Sequence, residues 1–491
     1  MSLWTRVRRV LRGTTAIQRA QRVQRNYSGA SNLARYADFS SSEKSADSEL
    51  ANNLTTLRGR SRNLARNNPH ARRYIQLMQD NIVGENGFRL QVRAKNVSNG
   101  GIDTAGNKRV EMAWKKWARN VTTDGKMTMR EATNLAVRTW CRDGEVFIQK
   151  IQNSRYHDSF SLHFVEADRV DVTLNQKNVQ NGNDIRMGVE VNAYGAPVAY
   201  HILTYHPGDT DWTSIPSTRK WVRIPADQII HVYVKSRPGQ TRGEPPMCGI
   251  LTDVKMLGGY REAEITNRRL SAAKMGFFKR IMPSGPVEGI ADSIDPDTGA
   301  LEMDVEPGKM SVLPDGYEFD KFDSSGSSTD YSDFEKQILR SIAAGLGPSY
   351  VDLAMDLEGV SYSSIRQGAL SDRDFYRGMQ KFFIEDFALP IFSDWFRSAL
   401  DFGDTGLPSF RYNKFHDAAY FRPRGWQWVD PQREVQAAIK ANENNMASLT
   451  HIVGEQGREF DEVVGEIETE RRVLDAAGLT PQEVIPNGGK K

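Results

Sequence analysis

Two helical rods, separated by a stretch that cannot be helical, constrain this chain most. Met247, Ile250, Val254 and Leu257 step by 3, 4 and 3, and Leu270, Ala273, Phe277 and Ile281 step by 3, 4 and 4. This spacing predicts helix through Glu244–Ile281, with a break at Gly258-Gly259. The piece Tyr260–Met282 is a rod about 35 Å long at about 1.5 Å per residue, and it stops at Pro283-Ser284-Gly285-Pro286. Residues 283–323 then read as turns and short strands, Met310–Leu313 and Tyr317–Phe319 among them, followed by a flexible connector at Ser324–Thr329. Ser332-Asp333-Phe334-Glu335 has the form of a capping box and opens a helix with Phe334, Ile338 and Ile342 on one face, stopped by Gly345, Gly347 and Pro348. The order is rod, small insert, returning rod.

The flanking segments are of two kinds. Leu54, Leu57, Leu64, Ile75, Met78 and Ile82 recur at helical intervals, with a new start at Pro69, and further helices are predicted at Lys108–Arg119 and 128–142. Glu145–Ile151, Ser161–Val165, Gly188–Val191, Val198–Thr204 and Ile229–Val234 are β-branched and aromatic segments between turn residues. Helices followed by strands predict an α+β domain over residues 46–244. After the returning rod come an acidic loop at 349–361, a long helical region from Ser363 to Leu400 kinked near Pro390, an irregular aromatic stretch at 404–430, and final helices with Phe460, Val463, Val464, Ile467 and Leu474 on one face.

Charge is distributed unevenly although the net value is only +3. Residues 1–37 hold eight arginines and no acid, a basic arm that either meets an acidic partner or is a solvated tail. Residues 430–475 hold eleven acids against five bases. No apolar run approaches the roughly 20 residues that cross a bilayer, and the N-terminus lacks a signal-peptide core. Cytoplasmic synthesis is therefore the expectation.

Enzyme signatures do not assemble. Gly308-Lys309 is followed by Met310, and position 303 is Met where a phosphate loop needs Gly. Neither GxSxG nor HExxH occurs. Asp297, Glu306 and Lys309 stand near the pattern of a metal nuclease, but Glu306 and Lys309 are one residue too far apart, with Pro and Gly between them. Cys141 and Cys248 are expected to be reduced thiols, and His201 and His206 structural. No cofactor and no metal is expected.

Several segments, in order, resemble the lambda-like family of phage portal proteins. They are Arg66-Asn67-Asn68-Pro69 with Asn81-Ile82-Val83-Gly84, Asp143-Gly144-Glu145-Val146-Phe147, and Gly239-Gln240-Thr241-Arg242-Gly243-Glu244. The most specific are Ser341-Ile342-Ala343-Ala344-Gly345-Leu346-Gly347 and Tyr362-Ser363-Ser364-Ile365-Arg366. The resemblance covers about residues 50–480, and is poor in the N-terminal arm and at 283–323.

It implies a mainly helical α+β portal fold. Residues 1–45 would be the basic arm and linker, 46–244 the wing, 245–282 the wing-to-stem helices, 283–329 the clip and connector, and 330–346 the second stem helix. Residues 347–361 would be the tunnel loop, 362–430 wing helices, 431–476 the crown and 477–491 a disordered tail. It also implies a homo-oligomeric ring, typically of twelve, at one capsid vertex of the virion, assembled in the host cytoplasm. Double-stranded DNA would pass through its channel. The terminase large subunit, the major capsid and scaffold proteins and the head-tail connector proteins would be partners. No membrane and no catalysis are implied. Asp352, Asp356 and Glu358 would line the channel, about 36 acids in a ring of twelve (3 × 12), disfavouring phosphate binding. Arg268, Arg269, Lys274, Lys279 and Arg280 would lie on the stem, facing the channel, solvent or acids of a neighbour. The competing readings are a DNA-acting enzyme, which requires a nucleotide or metal site, and another head component, a shell or neck protein.

Overall fold

The computed structural model describes residues 43–96, 100–152, 160–179, 182–209, 220–272, 328–426 and 430–478, and the strands at 276–280, 293–294, 301–302 and 317–321. The basic arm, the expected strand Met310–Leu313 and the tail beyond 478 lie outside the described residues.

Helices α1 (Ala46–Asn67) and α2 (Pro69–Ile82) meet at Asn68. Its extended backbone ends the first helix, and its side chain caps the second by accepting from the Ala71 amide at 3.0 Å. Pro69 takes the first helical position, where its missing N–H is harmless. Strand β1 (Arg89–Val92) leads to α3 (Thr104–Trp117) and α4 (Met129–Asp143), the latter opened by a Thr128/Glu131 capping box. Then come β2 (Glu145–Ile151), β3 (Ser161–Val165), β4 (Asp184–Arg186), β5 (Val189–Val191), β6 (Pro197–Leu203), β7 (Trp221–Pro225) and β8 (Ile229–Tyr233). They form two antiparallel sheets, ordered β3-β2-β8 and β4-β5-β6-β7. Phe147 and Val165 of the first pack with Val189, Tyr200 and Ile202 of the second in a separate small core.

After a 3-10 turn at Pro246–Ile250, α5 (Leu251–Ala272) leads away into β9 (Gly276–Arg280). Two short strands, β10 (Ser293–Ile294) and β11 (Leu301–Glu302), pair with each other, and β12 (Tyr317–Lys321) pairs antiparallel with β9. The chain returns through α6 (Ser328–Leu346), the one-turn α7 (Tyr350–Ala354) and α8 (Tyr362–Phe383). A π-helical turn at Ile384–Ala388, just before Pro390, joins α8 to α9 (Leu389–Asp401). Then follow α10 (Tyr412–His416), β13 (Ala419–Arg422), α11 (Pro431–Glu443), α12 (Leu449–Glu455) and α13 (Phe460–Ala477). β13 pairs antiparallel with β1, Arg89 opposite Arg422 and Val92 opposite Ala419. The main core gathers Trp114 and Trp117 of α3 around Trp395 of α9, ring centroids 5.0 and 5.8 Å away. The fold is α+β and mainly helical, as expected.

Five expectations are corrected. The first rod ends by Ala272, and Phe277 lies on a strand. Apolar residues four apart share a face in a strand as well as in a helix, so Ala273, Phe277 and Ile281 could not separate the two, and pairing with β12 decides. Gly258-Gly259 does not break α5, because Val254 and Leu257 are buried in the main core on one side of the pair and the helix runs on past it. Ser332 lies inside α6, which begins at Ser328, so the expected capping box is interior. The stretch 349–361 is partly helical and 404–430 contains α10 and β13.

Candidate functional site

The two rods lie side by side and antiparallel. Ser341 Oγ donates to Asp253 at 3.2 Å near the base, Arg261 Nε donates to Glu335 at 2.8 Å further out, and Tyr260 stacks on Tyr331 at 5.5 Å. At the base the helices nearly touch: a Cβ on Gly345 would lie 2.9 Å from Ile250 Cγ2. Gly347 carries φ +103, and a Cβ there would meet the Phe375 ring at 2.6 Å, so the turn out of α6 requires glycine.

The five stem bases do not form one row. Arg268 is paired with Glu264 at 2.8 Å and lies over the Tyr331 ring at 5.7 Å. Arg269 is exposed. Lys279 and Arg280 belong to β9, opposite Glu318 and Tyr317, and not to a helix; Lys274 lies outside the described residues.

The three acids occupy different environments. Asp352 is on α7, half-buried, and its carbonyl accepts from Arg73 Nε at 3.1 Å. Asp356 accepts from Tyr350 Oη at 2.7 Å and from the Glu358 amide at 3.0 Å, and the tyrosine hydrogen bond holds its carboxyl below the usual range. Glu358 is 80 % exposed and pairs with Lys336 of α6 at 2.9 Å, with Asp356 3.9 Å from the same ammonium. Lys336 therefore ties this turn to α6 and Tyr350 ties it to α7, and neither was singled out in the sequence because no spacing rule links them to it. Met355, left-handed at φ 56, is exposed beside Leu357, so the turn also presents two apolar side chains.

Two of the segments that carry the family resemblance, 143–147 and 239–244, meet in space. Gly144, at φ +85, lies so close to the backbone of Glu244 that a Cβ would be 2.2 Å from its carbonyl carbon, and a Cβ on Gly243 would be 2.2 Å from Gly144 O. Between these strands of backbone Glu145 is fully buried, receiving Arg242 Nη2 at 2.6 Å, Arg58 Nη2 at 2.6 Å and the Gly243 amide at 3.0 Å. Burial opposes its ionisation, but Arg242, His231 and Arg58 together hold the carboxyl well below its ordinary range. In a second such joint, Asn81 accepts at Oδ1 from Arg424 and Trp426, both at 3.2 Å, while its carbonyl accepts from Gln380 Nε2 at 2.8 Å. These segments are joints of the scaffold, which explains why the sequence marks them without any catalytic pattern.

Among the described residues one group, Glu166, Asp168 and His206, has the composition of a metal site. Arg58 and Arg62 already occupy its carboxylates: Arg58 reaches Asp168 at 2.6 Å and Arg62 reaches Glu166 at 3.4 Å. Two guanidiniums at the site disfavour a divalent ion there. Burial pushes both thiols up, Cys248 to about 12, so neither is a ready nucleophile. No described helix is long and apolar enough to cross a membrane.

Comparison with known proteins adds a family. The model of the lambda family of phage portal proteins matches residues 33–380. The probable portal protein of Halomonas phage phiHAP-1 is 31% identical over 468 residues, 95% of this chain and 88% of that protein. Portal protein B of Escherichia phage lambda is 26% identical over 475 residues, 89% of this chain and 87% of that protein. Among solved structures, the neck of an empty gene transfer agent particle aligns with a TM-score of 0.44 at 12% identity, over 82% of this chain and 93% of the other. The family match spans most of the chain and includes both rods and the joints at Asn81, Glu145 and Arg242, and so the chain belongs to the lambda family of phage portal proteins.

Proposed function

We propose that this chain is the repeating unit of a ring at one vertex of a phage head, conducting double-stranded DNA and performing no chemistry of its own. In this reading residues 46–244 and 362–430 form the wing, α5 and α6 the stem, and residues 283–323 the clip that meets the terminase motor and later the head-tail connector proteins. Residues 347–361 form the tunnel loop and 431–476 the crown inside the head. Major capsid and scaffold proteins meet the ring from outside.

The observation that carries the reading is the acidic turn at the base of the paired helices. Residues 349–360 contain three acids and no Lys or Arg, and the most exposed acid, Glu358, stands on a turn bound to α6 through Lys336. A duplex slides past such a surface, because binding to DNA scales with the number of phosphates neutralised by bases. Exposed Met355 and Leu357 add contact without charge.

Two measurements test it. Native mass spectrometry of the purified protein should find a closed assembly near 0.66 MDa for twelve copies (12 × 55.3 kDa), and monomer at every concentration would refute the ring. Glu358→Lys should assemble normally but package DNA more slowly, with partial relief at high salt. Packaging at the parent rate would remove residues 349–360 from the channel.

A further inference from the structure

One helix carries more positive charge than the fold uses. α3 turns Val110, Trp114 and Trp117 into the main core, and its opposite face exposes Lys108, Arg109, Met112, Lys115 and Lys116, with Arg119 just past its end. Lys108, Met112, Lys115 and Arg119 step by 4, 3 and 4, so they form one line along the helix, with Arg109 and Lys116 beside it. From Lys108 to Arg119 this line is about 16 Å long at about 1.5 Å per residue. Lys126 is exposed in the turn that follows.

These cations lack acids to neutralise them. Among the described residues, none of Lys108, Arg109, Lys115, Lys116 and Arg119 forms an ion pair; Arg109 reaches only the Gly406 carbonyl, at 3.4 Å. Glu111 stands four residues before Lys115, the spacing of a helical ion pair, but it is directed elsewhere: it accepts from the Val92 amide at 2.9 Å. Asp103, the helix cap, is bound to Lys414. By contrast, Arg58, Arg62, Arg223, Arg242 and Arg261 all meet carboxylates. An unpaired line of bases is a surface for a polyanion.

Its place selects the polyanion. The last helix, α13, begins beside the β1–β13 pair on which α3 packs: Glu462 is 3.3 Å from Arg89 of β1, and Glu459 is 3.9 Å from Arg422 of β13. If α11–α13 are the crown, the basic line borders the head interior, where the abundant polyanion is packaged genome. We propose that the outer face of α3 binds the sugar-phosphate backbone of double-stranded DNA from the head side, without regard to sequence. The placement rests on the ring reading above; the binding chemistry does not.

The test uses the full chain and a 30-base-pair random duplex (about one Debye length or more on every side of the line), followed by fluorescence anisotropy across salt concentrations. Combined Lys108→Gln, Lys115→Gln, Lys116→Gln and Arg119→Gln, all at exposed positions, should weaken binding at least about tenfold and reduce the log–log salt slope by about 3 to 4. Arg60→Gln, Arg66→Gln and Arg72→Gln, exposed on α1 and α2, serve as a charge control and should have a much smaller effect per residue. Equal loss per charge in the two sets, or unchanged binding in the first, overturns the proposal. Binding of polyglutamate as tight as the duplex, abolished by the same substitutions, also overturns it and assigns the face to an acidic protein. Native mass spectra run alongside keep the two readings apart. A monomer that loses DNA on the α3 substitutions sinks the ring and leaves this surface standing, whereas a ring whose DNA binding ignores them does the reverse.

Discussion

At the scale of single residues, the most consequential position is Glu145. It is fully buried with two guanidiniums, and removing one partner of such a cluster leaves charge unpaired in a medium that cannot solvate it. Glu145→Gln should destabilise the protein by about 3–5 kcal/mol, read from chemical denaturation. An effect below about 1 kcal/mol would mean that water already reaches Arg58 and Arg242. Gly144→Ala should be similarly damaging for a different reason, since both the left-handed backbone and the Glu244 carbonyl exclude a methyl group. Acid adds a third effect. Burial lowers the pKa of His231, and of His70, His163 and His201, below the ordinary 6.5. A base whose folded pKa is depressed binds more protons when unfolded, so stability is full above about 6.5 and falls as pH drops through the window beneath it. Glu145 and Asp168, also depressed, extend the loss further into acid as they protonate. Thermal midpoints should therefore fall steadily from pH 7 to pH 5, and a flat profile would show these imidazoles to be hydrated.

At the scale of elements, the sequence was most readable where period and punctuation agreed. The new helix start at Asn68-Pro69 and the helix at 128–142 were each legible, because a cap or a missing N–H acts locally. β9 was not, because steps of four fit both periods and its partner β12 is tens of residues away. Nor could α7 be foreseen inside an acidic loop: it is one turn, begun by Ser349 accepting from the Asp352 amide and fixed by the Ser349 amide donating to Asp372 at 3.0 Å. Of the candidate site, the acids were found by composition, while their tether Lys336 and the α3 basic line became visible only once the faces of the helices were known. Lys336→Met tests the tether. It should barely move the thermal midpoint, since the pair is exposed, yet speed hydrogen exchange at the amides of 356–360. Unchanged exchange would assign the turn's order to Tyr350 and Asp372 alone.

At the scale of the whole molecule, burial is uneven. α11, α12 and α13 contain no buried residue, while Ile439, Met446, Val464, Ile467 and Val473 are exposed along them. Truncation after Asp430 should leave the unfolding midpoint of the remainder nearly unchanged, because no core is lost, but should weaken assembly. A collapse of the midpoint would show that the exposed Arg89–Glu462 pair and the largely covered Arg422–Glu459 pair hold these helices to the body more firmly than the absence of a core implies.

The β1–β13 pairing has a consequence of another kind. It joins residues 89–92 to 419–422, so the body is closed by segments on either side of the paired helices, and the helices leave and rejoin it at one spot, Ile250 against Gly345. Everything beyond the Arg261–Glu335 pair is a detour whose ends already touch. Such a detour can be lengthened, shortened or exchanged with the core contacts of Val254, Leu257, Leu339 and Ile342 left in place, as insertions are tolerated where the flanking backbone is held close. A segment held in this way is free to diversify while the part that holds it stays fixed. The segment 283–323, where the resemblance to the family is poor, lies inside that detour in the sequence.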